Sequence, residues 1–164
     1  MELYPFKLSY VTKSPIWGGT RLRREWGKQS EAETVGESWE LTVRKEEKSR
    51  ITNGAYAGRT LESVIVEAGR NFIAPDYTGR EFPLLVKLID ACDRLSVQVH
   101  PDDAYAARVE HDRGKTEMWY IVEADEGAEI ICGLREGATK EDFAAAVADG
   151  DPERVLKHCR VRPG

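Results

Sequence analysis

Ser96, Gln98 and His100 alternate along the stretch Leu95-Ser96-Val97-Gln98-Val99-His100. In an extended strand successive side chains point to opposite faces, so these three polar groups share one face and Leu95, Val97 and Val99 share the other. A second stretch, Lys115-Thr116-Glu117-Met118-Trp119-Tyr120-Ile121-Val122, has the same period and puts Lys115, Glu117 and Trp119 together. An amide oxygen, an imidazole nitrogen and a carboxylate are donors that zinc accepts, with coordination positions left for a substrate.

Bland readings compete with this one. Ser96 and Gln98 can be solvated groups on an open sheet face, and His100 before Pro101 an ordinary strand-end histidine. Lys115 and Glu117 can form a surface ion pair of small energetic worth. Trp17, Trp39 and Trp119 read first as packing residues. Lys87, inside the apolar run Phe82 to Ile89, reads equally as a site residue or as a lysine whose stem is buried and whose ammonium reaches water. His111 and His158 read as surface groups.

The elements that must position these residues follow from punctuation and period. Asn53-Gly54 between extended segments is a hairpin signal. Gly36 to Val43 and Phe82 to Ile89 read as strands, the second as a buried one. Thr60 precedes a short amphipathic run ending near Gly69, as an N-capped helix does. Asp102 or Asp103 can cap a helix over Ala104 to about Glu110 and complement its dipole. Ala128 to Leu134 reads as a strand. Thr139 with Asp142 forms a capping-box pattern for a helix stopped at Gly150, and Asp151-Pro152 opens another. Many strands joined by short turns, with no regular strand–helix–strand rhythm, point to a mainly β antiparallel sandwich or barrel in one domain spanning 1–164.

Bulk properties narrow the partners. A formal net charge of -5 gives no electrostatic footprint for nucleic acid. No apolar run reaches the length of a membrane span, and the first residues lack the basic and apolar regions of a signal peptide, so a cytoplasmic protein is expected. Cys92, Cys132 and Cys159 show no paired spacing, which suggests buried, inert thiols rather than disulfides or a thiolate metal site.

Five blocks together carry a specific resemblance: Ile16-Trp17-Gly18-Gly19, Gly36 to Glu40, Phe82 to Lys87, Leu95 to Asp103 and Gly114 to Tyr120. In these the chain resembles the type I phosphomannose isomerases, zinc enzymes of the cupin superfamily. The resemblance implies a cupin-like antiparallel β-sandwich or jelly roll with a few short helices, represented here by its N-terminal part. It makes Gln98, His100 and Glu117 three of the family's four zinc ligands. It sets Ser96 and Lys115 beside a sugar phosphate, with Lys115 a candidate for proton transfer or charge stabilisation. The implied reaction interconverts mannose 6-phosphate and fructose 6-phosphate. Family members are longer, and the histidine that completes the zinc set and a substrate-binding arginine fall beyond Gly164. The expectation is therefore that the isolated chain is inactive or nearly so, with weakened zinc binding. Its exposed edges would be covered by a homo-oligomer or a complementing C-terminal half. The alternatives are a non-catalytic fragment that binds sugar phosphate or metal, and a purely structural domain.

Overall fold

In the computed structural model, which describes residues 4–44, 47–69, 73–77 and 82–164, strand β1 (Val11–Lys13) pairs antiparallel with β2 (Glu37–Leu41). A four-residue helix, α1 (Arg21–Arg24), lies between them in sequence. The pair β3 (Val43–Arg44) and β4 (Glu47–Lys48) follows, then a 3-10 turn over Gly54–Tyr56 and helix α2 (Leu61–Ala68). Strand β5 (Val86–Ile89) joins the other edge of β2, giving a sheet of order β1-β2-β5. The chain divides into two compact units, Met1–Leu95 and Ser96–Gly164. The expected mainly β, antiparallel architecture with a few short helices is what forms.

The first unit buries Leu22, Val35, Ile51, Leu61, Val64 and Ile65. Helix α2 contributes three of them because its apolar residues recur at helical spacing. Its start is fixed as the sequence predicts: the Thr60 hydroxyl accepts from the Ser63 N–H at 3.2 Å, and Gly69 ends it with φ of 82°. Buried Ser38, Thr42 and Ser49 are tolerated because they are bonded. Ser38 donates to Glu40 at 2.6 Å, and Ser49 Oγ accepts from the Thr42 N–H at 3.0 Å. Gly18 and Gly36 make a backbone approach that only glycine allows: a Cβ on Gly18 would lie 2.6 Å from the Gly36 nitrogen.

Register explains Lys87. It stands opposite Trp39 across the β2–β5 ladder, its ammonium 3.1 Å from Glu37 Oε2 and 4.8 Å from the Trp39 ring centroid. Trp39 in turn donates its indole N–H to Glu37. Lys87 is thus an ion-paired, half-buried residue on the sheet face. β5 itself is shorter than the predicted run and not buried: Val86 and Ile89 are exposed, as an edge strand of a three-stranded sheet permits.

The second unit begins with a turn. Asp102 accepts from the Tyr105 N–H at 2.7 Å and caps α3 (Asp103–Tyr105), which runs into a π-helical turn over Ala106–Glu110. Strand β6 (Glu129–Leu134) follows, then α4 (Lys140–Ala148) with its Thr139–Asp142 capping box as predicted. Pro152–Val155 forms a 3-10 turn rather than a longer helix, and β7 (Leu156–Arg160), which the sequence reading does not foresee, pairs antiparallel with β6. Its core is thin: Ala106, Ala146, Val155 and Leu156.

Several expectations are corrected. Leu95 to His100 and Lys115 to Val122 form no strand ladder among the described residues. Alternation specifies two faces but supplies no partner, and a strand exists only with its ladder. Val97, Val99, Met118, Tyr120 and Val122 accordingly stand exposed. Trp119 is 51% exposed, so it is not a packing residue here. Asn53-Gly54 does not close a two-residue hairpin; Asn53 precedes the 3-10 turn, between the bridge partners Arg50 and Thr60. The cysteines are not buried: Cys92 and Cys132 are exposed and Cys159 is half-buried. Among the described residues no helix is long and apolar enough to cross a membrane.

Candidate active site

The Asp102–Asp103 turn aligns the two chemistry-bearing stretches. Asp103 Oδ1 accepts from the Gly114 N–H at 2.9 Å, and the Lys115 N–H donates to the Pro101 carbonyl at 3.3 Å. Gly114 lets them approach: a Cβ there would meet the Asp103 nitrogen at 2.6 Å and the Pro101 oxygen at 2.8 Å. Gly114 and Asp103 therefore matter to the site, although the sequence marks one only as part of a motif and the other only as a cap. The signal that could find Gly114 is its place directly before the lysine, opposite a tight Pro-Asp-Asp turn.

Across this junction three side chains meet. His100 Nε2 lies 3.2 Å from Glu117 Oε2. The Lys115 ammonium is 2.8 Å from Glu117 Oε1 and 3.3 Å from His100 Nε2. Trp119 donates its indole N–H to Glu117 Oε2 at 3.5 Å. Burial pushes the Glu117 carboxyl up, but the hydrogen bond and charge of Lys115 outweigh it, helped by Trp119 and His100. The net result lies below the ordinary carboxylate value. Glu117 is therefore ionised at neutral pH, as a metal ligand must be.

Ser96 and Gln98 form a separate pair: the Gln98 amide nitrogen donates to Ser96 Oγ at 3.0 Å. That bond turns the amide oxygen, the atom a metal would use, away from the serine. Among the described residues no hydrogen bond joins this pair to His100, Lys115 and Glu117. Likewise, no three His, Cys, Asp or Glu side chains among the described residues converge to hold a metal ion. One pair of donors, already bridged by the Lys115 ammonium, has a spacing to compare with that of a metal site. Adjacent nitrogen and oxygen ligands of tetrahedral zinc stand about 3.4 Å apart for the usual bond lengths, and His100 Nε2 to Glu117 Oε2 is 3.2 Å.

The other histidines lie elsewhere, at the surface as expected. His111 is exposed with φ of 54°, ending the π-helical turn. His158 on β7 lies between Glu129 at 3.2 Å and Glu153 at 2.6 Å, one on each ring nitrogen.

A family model described as phosphomannose isomerase type I, catalytic domain, matches residues 5–143. The chain is 42% identical over 162 residues to a probable mannose-6-phosphate isomerase, GmuF, of Bacillus subtilis, covering 98% of this chain and 50% of that protein. It is also 42% identical over 160 residues to a mannose-6-phosphate isomerase of Streptococcus mutans, with the same coverage of each. The crystal structure of a mannose 6-phosphate isomerase from Bacillus subtilis superposes with a TM-score of 0.87 at 38% identity, over 98% of this chain and 50% of that one. The chain spans about half the length of the curated relatives it matches.

Proposed function

The chain belongs to the type I phosphomannose isomerase family, and from that premise we propose that it carries one wall of the active site of a zinc-dependent isomerase interconverting mannose 6-phosphate and fructose 6-phosphate. The observation that carries the reading is the meeting of imidazole, ammonium and carboxylate at His100, Lys115 and Glu117. The reaction moves a carbonyl between C1 and C2 and a proton between the same carbons, through an enediol. Zinc, when bound by Gln98, His100 and Glu117, supplies a redox-inert Lewis acid that orients and polarises substrate oxygens.

The chain's own groups do the rest. Lys115, its charge held by Glu117, transfers a proton or stabilises developing negative charge at the reacting carbons. Ser96 offers a hydroxyl to the sugar phosphate. With one nitrogen donor among three ligands, the set holds zinc weakly. The exposed Val97, Val99, Met118, Tyr120 and Val122 suit an apolar covering surface, such as a second copy of the chain. The working location is the cytoplasm.

A non-catalytic reading, a fragment that binds sugar phosphate or metal without turnover, is favoured by one observation: Gln98 is bonded to Ser96 and not to the His100–Glu117 group. Metal analysis after dialysis against zinc, together with a coupled assay for fructose 6-phosphate, separates the two. Zinc retention with measurable isomerisation supports the enzyme. Zinc retention with no turnover at high protein concentration supports the fragment. Neither metal nor turnover removes the site reading altogether.

A further inference from the structure

Glu117 is held from two sides by groups with different capabilities. Lys115 fixes Oε1 at 2.8 Å. Oε2, the oxygen nearest His100, receives the Trp119 indole N–H at 3.5 Å. Lys115 alone leaves the carboxylate free to swing about its terminal torsion, which is broad for glutamate. A second donor on the other oxygen, here at the long distance of 3.5 Å, narrows that freedom. Residues 117 and 119 are two apart in sequence, and the indole N–H reaches the carboxylate at 3.5 Å with the ring half in solvent.

We propose that Trp119 is a positioning residue for Glu117, its indole N–H holding Oε2 toward His100 so that the carboxylate and imidazole keep their 3.2 Å edge. The proposal rests on the metal reading above. An indole nitrogen donates but cannot accept, so Trp119 never competes for the metal; it acts only through Glu117. This is the arrangement in which partners behind a ligand fix its orientation, and loss of such a partner typically costs about 10–100-fold in metal affinity. The exposed ring is explained as well: at 119 the group that matters is the N–H, not buried area.

The test compares Trp119→Phe, which keeps the ring and removes the donor, with the unaltered chain and with Glu117→Ala. Zinc affinity is read by competition with a chromophoric chelator, and thermal unfolding shows that each variant folds. The second readout needs no metal. The protein has four tryptophans, and the indole N–H resonance of Trp119 is identified by its absence in Trp119→Phe. We expect that resonance to shift in Glu117→Ala while the other three stay in place, and zinc to bind at least about 10-fold more weakly to Trp119→Phe. An unmoved Trp119 resonance in Glu117→Ala overturns the bond. A moved resonance with unchanged zinc affinity in Trp119→Phe overturns the positioning role. If the unaltered chain itself holds no zinc, the metal reading falls, and the resonance alone decides whether Trp119 holds Glu117.

Discussion

The ammonium of Lys115 lies 2.8 Å from one oxygen of Glu117, while the imidazole of His100 lies 3.2 Å from the other. One carboxylate thus meets both an ammonium and an imidazole. The two contacts pull apart in a variant. Lys115→Ala removes a positive charge that competes with zinc for Glu117 and leaves all three candidate ligands, Gln98, His100 and Glu117, in place. Zinc affinity should hold or rise, while isomerase turnover should fall by about 10²–10⁴-fold, the range for losing a general acid or base. Chelator competition and the coupled fructose 6-phosphate assay on the zinc-loaded chain read the two effects. Turnover that survives Lys115→Ala with zinc bound takes the lysine out of the reaction.

Gly114→Ala should damage the same site without touching a ligand. The new Cβ would lie 2.6 Å from the Asp103 nitrogen and 2.8 Å from the Pro101 oxygen, and both are backbone atoms that cannot rotate aside. Relief requires the 115–119 segment to move off the turn, taking Lys115 and Glu117 with it. The overpacking penalty is about 1–3 kcal/mol, read as a lower midpoint in urea unfolding. Zinc affinity should fall together with stability. Wild-type stability and zinc binding in Gly114→Ala would mean that the close approach is not what aligns the two stretches.

The parts of this structure that sequence foretells are those set by neighbours. The caps of α2, α3 and α4 use Thr60, Asp102 and Thr139, each bonding three residues ahead, so type and spacing suffice. Lys115 and Glu117 do meet, as the sequence suggests, although the strand whose period of two would put them on one face does not form among the described residues. What spacing cannot carry is the pairing partner: Leu95 to His100 alternates like a strand but meets no ladder among the described residues. β7 escapes notice for the opposite reason. Leu156-Lys157-His158-Cys159-Arg160 is a strand because β6 is there to receive it, with Ile130 opposite Cys159. Lys87 is legible as anomalous, but only the register that sets it against Trp39 makes it an ion pair with Glu37.

Thiol reactivity should follow exposure. Cys92 and Cys132 are exposed, whereas Cys159 is half-buried on β7. In the native protein an aromatic disulfide reagent should modify the first two rapidly and Cys159 slowly, and all three at one rate in denaturant. Cys132→Ser should remove one fast equivalent. A native protein in which no thiol reacts until it unfolds would restore the expectation of buried cysteines.

The capping box of α4 makes stability sensitive to acid. Asp142 Oδ2 accepts from the Thr139 N–H at 2.8 Å and from its hydroxyl at 2.9 Å, and these bonds hold the Asp142 carboxyl below its ordinary value against the opposing effect of desolvation. A group whose pKa is lower in the folded state binds its proton more readily when unfolded. Its contribution is therefore fully present above the unfolded carboxylate pKa and is lost as pH falls through the folded one. Asp142→Asn, which keeps the shape but never carries the charge, should lower the thermal midpoint at neutral pH. The gap from the unaltered chain should close as pH drops through the acid range, since both then present a neutral side chain to Thr139. Melting curves over a pH series read this directly. A gap that stays constant down to acid pH would mean that the α4 cap works through shape alone and that the Asp142 charge contributes nothing to it.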